Sequence, residues 1–123
     1  MISSINGDIY NEEGIKVLLE ELLKSMSSSN IKGYVSINNK MTINGNTMSL
    51  LYDIIYELIE NNNNKSIMIF VTKNKDNVKL KVIIDTINFL KNKIKIDSNI
   101  NIKIKKYDTD TEIEFIIKDG VIK

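Results

Sequence analysis

Glu57 and Asn61 stand four residues apart in the stretch Leu51 to Asn64, LYDIIYELIENNNN. On a helix that spacing is one turn, so both side chains project from one side. A carboxylate and an amide oxygen are the hard donors that magnesium accepts. Magnesium also needs few protein groups, because phosphates and waters complete its shell. The pair therefore has the makings of a magnesium-and-nucleotide site. A plainer reading is equally available: a solvated helix end whose asparagines satisfy the last free carbonyls. Spacing alone leaves both open.

The element that must position the pair is an amphipathic helix over about 47–61, with Leu50, Leu51, Ile54, Ile55, Leu58 and Ile59 on one broad stripe. Asn44-Gly45-Asn46 is a turn before it, and Thr47 is a suitable cap. An earlier helix is expected at about 12–28. Asn11 can cap it, Glu12 and Glu13 suit its positive end, and Ile15, Leu18, Leu19, Leu22, Leu23 and Met26 keep helical spacing. Ile31 to Ile37 is strand-like, Asn38-Asn39 reads as a turn, and Lys40 to Ile43 fits a short strand.

Ile67 to Val71, IMIFV, is continuously apolar, as in a strand buried on both faces. TKNKDN reads as a hairpin loop, and Val78 to Asp85 as a strand entering the centre of a sheet. Thr86 to Lys93 fits a short helix, with Asp85 or Thr86 as its cap. Ile100, Ile102 and Ile104 alternate with polar residues, as do Ile113, Phe115 and Ile117, so the two runs form a hairpin with lysines opposite glutamates.

Composition narrows the chemistry. The chain has 123 residues, 42% of them apolar, which suits one domain over 1–123 with a single core. Ala, Arg, Pro, Cys, His and Trp are absent, while Ile, Asn and Lys dominate, the pattern of an AT-rich genome. Without Cys or His there is no disulfide, thiol nucleophile, histidine base, phospho-accepting histidine or zinc site of the usual ligands. No apolar run reaches 18 residues and no basic, apolar leader opens the chain, so a cytoplasmic location is expected. Met41, Met48 and Met68 read as core filler, and Tyr52 and Tyr56, one turn apart, as partly exposed. Net charge is +1 but unevenly spread: −4 over 1–63, +8 over 64–106 and −3 over 107–123. With no Arg and few aromatics in the basic stretch, nucleic acid is a poor fit as partner.

The element order, together with LYDIIYELIENNNNKS, then IMIFV, then VKLKVIID, resembles the ATP-binding domain of sensor histidine kinases, in the GHKL superfamily. Kinases similar to the nitrate sensors read LYRIVQEALTNAxKH in the helix, followed by two strands and an aspartate. The resemblance covers most of the chain in element order and about a third in motif. It implies nucleotide-binding roles for three residues. Asn61 would hold the magnesium, Glu57 would orient water, and Asp85 would contact the adenine. It also implies an α+β, two-layer sandwich of the Bergerat type, with a mixed, mostly antiparallel sheet and helices on one face.

The chain departs from that family where backbone must bend round the ligand. The family's aspartate opens D-x-G-x-G, whereas here Asp85-Thr86-Ile87-Asn88-Phe89 puts Ile87 and Phe89 at both glycine positions. No glycine lies between Phe89 and Ile113, and the segment is short for a lid. The expectation is a degenerate, non-catalytic ATPase-fold domain without a cofactor. It would act as a regulatory protein-interaction module, for example as an inhibitor of a host or partner system, through a protein partner or self-association. Two alternatives stand beside it: an ATP- and magnesium-binding domain with a shortened lid, and a small α+β interaction protein unrelated to kinases.

Overall fold

A computed structural model describes residues 9–26, 32–38, 40–61, 66–85 and 100–118. In chain order the elements are β1 (Ile9–Asn11), α1 (Glu12–Ser25), β2 (Lys32–Ile37), β3 (Thr42–Asn44), α2 (Gly45–Asn61), β4 (Ser66–Asn74), β5 (Asn77–Ile84), β6 (Asn101–Lys106) and β7 (Thr111–Lys118). Five strands form one sheet in the order β2-β4-β5-β7-β6, and β1 pairs with β3 in a second, two-stranded sheet. Among the described residues, β2 and β4 alone run parallel in the larger sheet, and its other pairings are antiparallel. The result is an α+β sandwich with a mixed, mostly antiparallel sheet. The parallel pair needs a crossover, and the segment from β3 through α2 supplies it.

Local chemistry sets the helix ends. The Asn11 side chain accepts a hydrogen bond from the Gly14 amide at 2.8 Å and caps α1. That helix stops at Ser25, short of the expected residue 28. The Ser25 hydroxyl donates to the Leu22 carbonyl at 2.8 Å, and the Met26 amide bonds back to Leu22 and Leu23, both at 3.2 Å. The start of α2 also differs from expectation. Asn44 caps it, accepting from the Thr47 amide at 2.9 Å, so the helix begins at Gly45 and Thr47 is fully buried. Asparagine outranks threonine as a cap, which explains the shift.

The core lies between the helices and one face of the large sheet. Ile15, Leu19, Leu22 and Leu23 of α1 and Leu51, Ile54, Ile55, Leu58 and Ile59 of α2 are buried there. They share one cluster with Ile67, Ile69 and Val71 of β4, the alternate residues Val78 to Ile84 of β5, and Ile113, Phe115 and Ile117 of β7. The strand β4 corrects an expectation. Ile67, Ile69 and Val71 are buried, but Met68 is 39% exposed and Phe70 half-buried, so only one face is covered. Met68 is thus surface, whereas Met41 and Met48 are core. Tyr52 packs half-buried against the core, and Tyr56 is exposed.

The β4–β5 hairpin is tighter than the sequence suggests. Pairing continues to Asn74 opposite Asn77, leaving only Lys75 and Asp76 in the turn, with Lys75 at φ 58°. Two longer-range contacts tie the small sheet region to the rest. The Met41 amide donates to Glu12 Oε1 at 3.3 Å, and Lys73 Nζ donates to the Thr42 carbonyl at 2.5 Å. Among the described residues, no helix is long and apolar enough to cross a membrane.

Candidate functional site

The helix α2 carries Asp53, Glu57 and Asn61 at successive i, i+4 positions. Burial of Leu51, Ile55, Leu58 and Ile59 fixes which side of the helix faces the core. Glu57 is half-buried, while Asp53 keeps more of its surface in water. Partial burial, and then the Glu57 carboxylate one turn on, hold the Asp53 carboxyl above its usual 3.8. The two carboxylates are therefore close enough to repel. Asp53 is not among the residues expected from the sequence to form a site, although it shares the four-residue spacing of Glu57 and Asn61.

Asp85 immediately follows β5 and is half-buried. Its neighbour Ile84 pairs with Ile67, the second residue of β4. Asn61, the last residue of α2, precedes Ser66 by five residues, which limits their Cα separation to about 18 Å. The chain path thus brings the C-terminal end of α2, the start of β4 and the end of β5 to one end of the sandwich. Asn61 and Asp85 stand at the chain ends that meet there, and Glu57 lies one turn back along α2. Ile87, Phe89 and the short helix expected over 86–93 lie outside the described residues.

Among the described residues, no group of three His, Cys, Asp or Glu side chains is arranged to hold a metal ion. A separate groove of about 530 Å³ lies between α1 and β2, walled by Lys16, Val17, Glu20, Lys24, Gly33 and Tyr34. Gly33 allows this close approach of strand to helix. A Cβ there would stand 2.5 Å from Leu23 Cδ1.

No protein-family model matches the chain, and no curated protein matches it in sequence. Solved structures do match in shape. The Acinetobacter baumannii histidine kinase AdeS superposes with a TM-score of 0.66 at 10% identity, over 92% of this chain and 67% of that one. The catalytic domain of histidine kinase ThkA, in a nucleotide-free form, gives 0.57 at 14% identity, over 90% and 94%. The histidine kinase domain of the E. coli osmosensor EnvZ gives 0.56 at 8% identity, over 94% and 91%. At these identities the likeness is one of fold. The strand order, the helical layer among the described residues and these superpositions agree: the chain has the GHKL-type fold seen in histidine-kinase catalytic domains.

Proposed function

We propose that this domain keeps the framework of a nucleotide-binding sandwich but works as a regulatory protein-contact module, without holding ATP and without transferring phosphate. The carrying observation is the distribution of glycine. The chain has five, and none lies between Gly45 and Gly120, a span that includes all of α2 after its first residue and the stretch from Asp85 to the last hairpin. A nucleotide lying against backbone needs positions without a Cβ or with freely chosen φ, and this span supplies none. Ile87 and Phe89 stand where the resemblance calls for glycine. The oxygen donors of α2 suit magnesium, but the residues after Asp85 do not suit adenine and triphosphate. With no histidine, the chain has no imidazole to accept a phosphoryl group.

A crystal structure pairs ThkA with the response regulator protein TrrA, and that likeness lends support to a protein partner here. Isothermal titration of the chain with Mg-ATP to millimolar nucleotide is expected to give no binding heat. A micromolar dissociation constant would overturn the reading. One observation favours the second reading, a magnesium- and ATP-binding domain with a shortened lid: Asn61 and Asp85 stand at one end of the fold, with Glu57 one turn back along α2. Under it, Asn61→Asp must change the measured ATP affinity.

A further inference from the structure

The face of the large sheet that points away from the helices, uncovered among the described residues, is built unlike an ordinary solvated surface. Side chains alternate across each strand, so one residue in two points away from the helices. Along one row, Tyr34 of β2 neighbours Met68 of β4, which neighbours Ile83 of β5. Phe70 stands one step along and meets the Tyr34 ring edge-to-face, centroids 6.0 Å apart at 60°. Tyr34 is 55% exposed and Met68 39%. This is a contiguous apolar patch on the half of the sheet formed by β2, β4 and β5.

The other half is a charge grid. Lys81, Glu114 and Lys103 form one row across β5, β7 and β6, and Glu112 and Lys105 continue the row of Ile83. Lys79 reaches Glu114 at 3.6 Å. Lysines on an edge strand guard against aggregation, which accounts for Lys103 and Lys105 on β6. It does not account for Lys79 and Lys81, which sit on the central strand. Four lysines against two glutamates leave the grid positive.

We propose that this face receives an acidic amphipathic helix from a protein partner. Its apolar stripe would lie on Tyr34, Met68, Phe70 and Ile83, and its carboxylates would meet Lys79, Lys81, Lys103 and Lys105. A helix laid over an open sheet face is a standard way to cover it, and charge sets which helix fits. A second copy pressed sheet to sheet would oppose two positive faces. Single-stranded nucleic acid would want ring faces for stacking, whereas Tyr34 and Phe70 engage each other and are flanked by Met68 and Ile83. The strand β5 has eight residues, about 26 Å of sheet. A helix of about 16 residues matches that length.

The inference rests on the protein-contact reading, which the Mg-ATP titration tests separately; nucleotide binding would leave the peptide result standing. The probe is a labelled synthetic helix of about 16 residues, leucines on one stripe and glutamates elsewhere. Fluorescence anisotropy at low salt should show saturable binding that weakens as salt rises. Met68→Glu, and separately Lys81→Glu with Lys103→Glu, should each weaken it about tenfold, near 1.4 kcal/mol. These positions point away from the core, so circular dichroism should be unchanged. Tyr34→Glu substitutes if the Met68 variant fails to fold. Equal binding of a lysine-flanked peptide, tighter binding of oligothymidine, indifference to the substitutions, or Met68-dependent self-association in sedimentation would each overturn the proposal.

Discussion

Asp53 and Glu57 are one turn apart on α2, a helix that carries no lysine. Burial first, and Glu57 second, make Asp53 harder to ionise in the folded chain. The folded state therefore holds more protons than the unfolded state between the usual 3.8 and the raised value, and stability falls as pH rises through that window. Asp53→Asn removes this penalty. Because the group is well exposed, the gain at pH 7 should be small, about 0.2–0.5 kcal/mol, the scale of a like-charge pair at this spacing. Urea unfolding at pH 7 and below pH 3.8 checks it: the two curves should differ at the higher pH and converge at the lower. Asn44 is a second residue with a local task. Asn44→Ala leaves the first turn of α2 without its cap and should cost about 1 kcal/mol in the same measurement.

At the scale of elements, the contact between α1 and β2 depends on the missing side chain at Gly33. Its role is spacing, since Leu23 fills the room a Cβ would take. Gly33→Ala forces Leu23 out of its rotamer and should destabilise by about 1 kcal/mol. In a Leu23→Ala background the neighbour is gone, and the same substitution should cost measurably less. That non-additivity is the signature of direct contact. The hairpin of β6 and β7 illustrates the opposite case, an element legible in the residue pattern alone. Ile104 opposite Ile113 and Lys105 opposite Glu112 follow directly from the alternation in each strand. By contrast, the run IMIFV suggests a β4 buried on both faces, because an unbroken apolar run conceals which of its residues face outward.

At the scale of the whole molecule, the described residues form one layer of two helices on a five-stranded sheet whose other face they leave uncovered. Phe115 lies at the middle of that construction, fully buried on β7 within the cluster that contains both helices. Phe115→Ala should cost about 3–5 kcal/mol. That is a large share of the stability expected of a chain this size, so thermal unfolding should show a collapse of the transition and not a modest shift. If the domain works by contact and not by nucleotide, Mg-ATP should leave the melting temperature of the unsubstituted chain where it is. A ligand that bound the folded state would raise it.

The sequence by itself determined the order of α1, β2, α2 and β4 to β7, the inward-facing residues of both helices, the capping role of Asn11 and the charge pairing of the last hairpin. Each rests on spacing or hydrogen bonding within a few residues, and such information is local. Only the tertiary structure decided that β2 runs parallel beside β4, that β1 pairs with β3, and that one face of β4 is uncovered. It likewise decided that the end of α2 and Asp85 share one end of the sandwich. Those outcomes join residues distant in sequence, and they follow from burying both helices and one sheet face in a common core, a condition that no short stretch of the chain expresses.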